Sequence, residues 1–172
     1  MKKHITYLVL LLLITSCSIN KKAHSIGEFK FKLPKKAVEI KPEDLDANSQ
    51  INQEKIPTKY IYKIDNIYLG INDPYKGEIK KDFLEHRKKV DDNRYKKNGF
   101  IESHQYQSSL TKTNNNETYA MYEFKKNIGQ YSFSIINKDN TRILGGTIVF
   151  ENQSNYAEAT KILNDFLKSV TF

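Results

Sequence analysis

Apolar and polar positions along this chain alternate in two rhythms, and the rhythms predict the elements. Phe29, Phe31 and Leu33 alternate with Lys30 and Lys32, a period of two that predicts a half-buried strand ending at Pro34. Val38 and Ile40 predict a second short strand, and the polar residues 43–56 predict a loop. Tyr60, Tyr62 and Ile64, then Ile67 to Ile71, flank Asp65-Asn66, a hairpin signal. Ile79, Phe83, His86 and Val90 recur at helical spacing, so a helix is expected from about Ile79 to Lys97 with these four on its buried face. Asn98-Gly99 is its stop signal.

Four more strands are expected at about 100–110, 118–126, 130–137 and 142–151, separated by Asn114-Asn115-Asn116, by Gly129 and by Lys138-Asp139-Asn140. Such short connections make antiparallel neighbours. Two of these strands are apolar on both faces. Tyr119 and Met121 oppose Ala120, Tyr122 and Phe124, while Ile143, Thr147 and Val149 oppose Leu144, Ile148 and Phe150. A sheet built this way is covered on both sides. Gly145-Gly146 marks a bulge or a close backbone approach. The last helix, about Asn155 to Ser169, buries Tyr156, Ala159, Thr160, Leu163, Phe166 and Val170, and Asn155 with Glu158 is spaced as a capping box. The order predicts an α+β fold: an antiparallel sheet of about six to seven strands with helices packed on both faces.

The chain start has a different pattern. Lys2, Lys3 and His4 precede the apolar run Tyr7–Ile14, which is too short for a membrane span of about 20 residues. Small Thr15 and Ser16 follow, then Cys17, the one cysteine in the chain. This is the order of an export signal. Leu13-Ile14-Thr15-Ser16-Cys17 resembles the lipobox of bacterial lipoproteins. That resemblance implies cleavage before Cys17, a thioether-linked diacylglycerol and an N-acyl (palmitate-type) chain on it, and a protein held to the membrane by lipid. Ser18 after the cysteine favours the outer membrane of the cell envelope under the same resemblance. The expected organisation is a signal peptide over 1–16, a lipidated tether over 17–27 rich in Asn20, Lys21, Lys22 and Gly27, and one domain over 28–172.

The formal net charge is +8, and Lys2 and Lys3 leave with the signal. A basic balance fits anionic membrane, acidic partners or nucleic acid. Export makes nucleic acid the least fitting of the three, so none is expected. The opening Phe29-Lys30-Phe31-Lys32-Leu33-Pro34, the central meander and the closing Ile162–Val170 resemble the PsbP-like superfamily, which includes the DcrB-type lipoproteins. The resemblance implies a non-enzymatic binding or assembly role, with an envelope protein as partner, and brings no catalytic residues.

Candidate chemistry is sparse. The histidines, at 4, 24, 86 and 104, show no His-x-x-x-His pair, and no Cys-x-x-Cys exists, so no metal site, cofactor or catalytic residue is expected. His86 reads as a core or boundary histidine. Glu102 and His104 on one strand face are either a surface pair or an acid–base pair. Lys80, Lys81, Lys88 and Lys89 form a basic surface, either a solvated face laced with ion pairs or a contact for headgroups or an acidic partner. Two other readings stay open: an immunity protein against an envelope-acting toxin, and a hydrolase with a dispersed acid–base site.

Overall fold

The computed structural model describes residues 21–45, 58–97, 105–113 and 115–172. Among these residues ten strands and two long helices follow one another: β1 Lys21–Ile26, β2 Phe29–Pro34, β3 Val38–Ile40, β4 Tyr60–Ile64, β5 Ile67–Ile71, β6 Tyr75–Lys76, α1 Phe83–Lys97, β7 Gln105–Lys112, β8 Asn116–Lys125, β9 Ile128–Asn137, β10 Arg142–Glu151 and α2 Tyr156–Ser169. β1 and β2 form a separate hairpin. The other eight make one sheet, where six or seven were expected, in the order β3-β4-β5-β10-β9-β8-β7, with β6 added beside β10. Every pair in it is antiparallel. The fold is thus a mixed one, a large antiparallel sheet with two helices.

β1 corrects the expected tether. Its sequence, Lys-Lys-Ala-His-Ser-Ile, has the composition of a linker, yet Lys21–Ile26 pairs along its whole length with Phe29–Pro34. Gly27, at φ 57°, makes the two-residue turn, a conformation glycine reaches without cost. Only His24 and Ile26 turn toward the core, too few to show a period of two. Lys30 and Thr171 then exchange backbone hydrogen bonds, tying the hairpin to the chain's last residues.

The alternation on the central strands separates the side chains into different clusters. Tyr122, Phe133, Leu144, Ile148 and Phe150 join Ile162, Leu163 and Phe166 of α2 and Phe29, Phe31 and Leu33 of β2 in the main core. Tyr119, Met121 and Ile136 join Leu84 and Tyr95 of α1 in another, with Ile143 packed against it. Val149 packs with Leu45, Ile61 and Ile128. Gly146 answers the close-approach alternative: a Cβ there would stand 2.3 Å from the Gly70 carbonyl oxygen. Register runs unbroken through Gly145 and Gly146, so there is no bulge. The turn expected at Gly129 lies earlier. Lys126 and Asn127, both at positive φ, make a two-residue hairpin loop, and Gly129 belongs to β9, where it leaves room for the Phe150 ring.

α1 departs most from expectation. It begins at Phe83, not Ile79, and it is turned round. Phe83 is 40% exposed and Val90 50% exposed, and His86 is exposed as well. The inward face is instead Leu84, Arg87, Lys88, Asp91, Asp92 and Tyr95, again at helical spacing but mostly polar. The reason lies on the sheet. β7, β8 and β9 present hydroxyls and a carboxylate there, and polar groups leaving water need partners. In α2, Asn155 does not close the expected capping box; its amide donates to the Glu151 carbonyl at 2.7 Å, and Glu158 accepts from Lys36.

Candidate functional site

Three aromatic hydroxyls at one end of α2 begin a groove. α2 lies over β2, β9 and β10 and leaves the β7–β8 corner of the sheet uncovered. The residues that β8 and β7 show on that side are small or polar: Thr118 and Ala120, then Gln107, Ser109 and Thr111. They leave an open space of about 560 Å³ against the flank of α2, walled by Leu163, Leu167 and Val170. Its residues span Tyr156 to Lys168 along the helix, about 18 Å at 1.5 Å per residue.

At the aromatic end, Tyr122 packs against Tyr131 and Tyr156 with ring centroids 4.9 and 5.0 Å apart. Tyr131 and Thr160 share a hydrogen bond of 2.6 Å, and the Thr160 hydroxyl also donates to the Tyr156 carbonyl at 2.7 Å. Burial pushes the pKa of Tyr122 and of Tyr131 up, so both phenols stay protonated and act as hydrogen-bonding groups rather than bases. At the far end, Thr113 and Asn116 close the β7–β8 turn through the Thr113 hydroxyl, and the Asn116 amide reaches the Val170 carbonyl at 3.4 Å. Hydroxyls and amides rim the groove, apolar side chains form its wall, and Lys168 supplies a positive charge. Among the described residues that line the groove there is no carboxylate, histidine or cysteine. The lining can therefore bind by shape, hydrogen bonds and ring contacts.

A second polar assembly sits under α1. Asp92 accepts from Tyr106 and Ser108 at 2.7 Å each and from Lys88 at 2.5 Å. Burial pushes its carboxyl up, but these three donors outweigh burial and hold it down at about 2. Asp91 accepts from Tyr119 at 2.8 Å, Arg87 donates to the buried Ser134 at 2.5 Å and lies over the Tyr119 ring, and Tyr95 donates to Glu123. Burial first, then Asp92, pushes Tyr106 up to about 12. Each charge here has a partner, so the assembly reads as the fastening of α1 to the sheet.

The sequence-derived candidates scatter. Lys80 and Lys81 stand exposed just before α1, and Lys89 is exposed on it. Lys88 turns toward the sheet and pairs with Asp92, which removes it from the expected basic surface. Cys17, His4, Glu102 and His104 lie outside the described residues. His24, expected in a tether, stacks on Phe31 at 5.7 Å and meets Tyr62 edge-on at 5.1 Å; burial and then Lys22 lower its pKa. Among the described residues no group of three or more His, Cys, Asp or Glu could hold a metal, and no helix is long and apolar enough to cross a membrane. Sequence reasoning missed the groove. Its signal was there, in the short polar residues at 107, 109 and 111 beside Thr118 and Ala120, opposite a helix with an apolar stripe.

No family model matches the sequence, and no curated protein matches it significantly. Among solved structures, the chain is similar to the Ran-binding protein Mog1p of Saccharomyces cerevisiae, with a TM-score of 0.50 and 11% identity, over 90% of this chain and 96% of that one. At that identity the likeness is one of fold.

Proposed function

We propose that this is a lipid-anchored protein of the bacterial cell envelope, held through Cys17, that binds an envelope protein in the groove beside α2. The observation that carries the binding role is the groove itself: about 560 Å³, apolar on one wall and rimmed by hydroxyls and amides. This reading takes the two helices to cover opposite faces of the sheet in a PsbP-like arrangement. Their partners support it, since α1 meets Tyr119 and α2 meets Tyr122, residues of opposite parity on β8. With α1 on one face, the other face is free to carry the groove.

Two measurements test it. Cys17→Ala should move the chain out of the membrane fraction and abolish fatty-acid labelling; labelling of that variant overturns the anchor. A photo-crosslinking amino acid at Thr111 or Asn164, both exposed and both in the groove, should give a discrete adduct in the intact envelope. The same group at exposed Lys89, on the other helix, should not. Equal adducts from all three positions overturn the groove as the binding site.

A second reading has its own observation. Phe83 and Val90 stand exposed on α1 close to exposed Lys80, Lys81 and Lys89. Exposed apolar side chains with lysines nearby in the chain suit an anionic headgroup surface. Flotation with anionic liposomes that persists unchanged in the Lys80, Lys81 and Lys89 to Gln variant overturns it.

A further inference from the structure

We infer that the groove's partner binds as an extended peptide, adding a strand to the open edge of β7. The inference rests on the groove being the binding site and names the form of its occupant. β7 stands last in the sheet order, and no described strand pairs with its outer side. The opposite edge strand, β3, has three residues, whereas β7 has eight.

The direction of the free backbone groups follows from the ladder. The Thr113 N–H donates to the Asn116 carbonyl at 2.8 Å, which makes 113 and 116 a hydrogen-bonded pair in the same register that joins Gln105 to Phe124. Hydrogen-bonded pairs recur at every second residue of an antiparallel ladder. Gln107, Ser109 and Thr111 therefore bond to β8, and the N–H and C=O groups of Tyr106, Ser108, Leu110 and Lys112 point out of the sheet. Natural edges are blunted by proline, bulges or charge. β7 has no proline, pairs with β8 without a break, and carries one charge, Lys112, engaged by Glu85 and Glu117.

The same strand is held straight from below and open above. Tyr106 and Ser108 are tied to Asp92, and Leu110 packs on the α1 cluster. Gln107, Ser109 and Thr111 face the groove. A strand laid along β7 would thus gain backbone hydrogen bonds while every second side chain stood on the groove side beside Gln107, Ser109 and Thr111, where a long apolar one can lean across these short residues toward Leu163, Leu167 and Val170. That wall asks for apolar side chains. A second copy of this chain, pairing through its own β7, would bring only glutamine, serine and threonine to it, so a partner's segment with alternating apolar residues fits better.

The probe is a phage-displayed library of random linear dodecapeptides, panned on the full chain in detergent with the Ser109→Arg variant as counter-selection. Ser109 is exposed, so arginine fills the groove mouth without disturbing the core. Selected peptides should bind at least tenfold more weakly to Ser109→Arg. Methylating each peptide nitrogen in turn should weaken binding tenfold or more at every second residue and little between. A flat methylation profile overturns strand addition, while groove crosslinks that persist would leave the groove reading standing. No peptide preferring the parent over Ser109→Arg overturns the inference too. A dimer in sedimentation, broken by Ser109→Arg, replaces the partner segment with a second copy.

Discussion

The two helices are nearly equal in length and rest on one sheet, yet opposite chemistry holds them down. α2 buries Ala159, Ile162, Leu163 and Phe166, an apolar stripe at helical spacing. α1 buries Leu84 and Tyr95 and fills the turns between them with Arg87, Lys88, Asp91 and Asp92, while Phe83 and Val90 face outward. Apolar burial is tolerant of angle, since any close-packed arrangement removes area from water. Hydrogen bonds and ion pairs are directional, so α1 has one orientation in which Asp92 meets Tyr106, Ser108 and Lys88 together. α2 therefore contributes apolar stability, while α1 holds the β7–β8 corner in one orientation.

The contrast can be broken most sharply from the α2 side. Phe166, with no exposed surface, should cost about 3–5 kcal/mol as Phe166→Ala, read by chemical denaturation. A loss below about 1 kcal/mol would mean that α2 is not held by its apolar stripe. On α1, Asp92→Ala leaves Lys88, Tyr106 and Ser108 without their acceptor and should cost about 2–3 kcal/mol. Acid should loosen the hold of Asp92 on α1. The folded pKa of Asp92 lies below its ordinary value, so its contribution is complete above about pH 4 and drains away as pH falls toward 2. A quarter of the side chain is exposed, so this amounts to about 1–2 kcal/mol. Denaturation midpoints between pH 5 and 2 should fall less steeply for Asp92→Asn than for the parent; parallel curves would contradict the assignment. The smallest effect belongs to Val90→Ser, within about 0.5 kcal/mol of zero by thermal melting. A larger loss would return Val90 to the core that its spacing first implied.

Legibility in the sequence followed the same divide. α2, β2, the β4–β5 hairpin and the strands of the meander were readable because apolar spacing and burial agree in them. α1 misled because its apolar residues and its buried residues are different sets; spacing alone found Phe83, His86 and Val90, and the polar side chains that bind Ser108, Tyr119 and Ser134 gave no such signal. β1 was hidden because a two-stranded hairpin lying on the core needs only His24 and Ile26 inward. The groove was hidden for a further reason. It is a shortage of side-chain volume at Ser109, Thr118 and Ala120, and a deficit shows only when the helix beside it is in place.

The β1–β2 hairpin sets a leash length. Cys17 and Lys21 are four residues apart, so the chain between them reaches at most about 13–14 Å when fully drawn out. Lys21 is fastened in turn to Asp165 on α2 at 3.1 Å. The groove runs along the same helix, through Asn164, next to Asp165, and Lys168, just under one turn farther on. With lipid on Cys17, the domain would be kept within that reach of the bilayer surface. Whatever strand it collects would then have to come from a partner within a few nanometres of the membrane surface, and a partner domain reaching farther out would pass overhead.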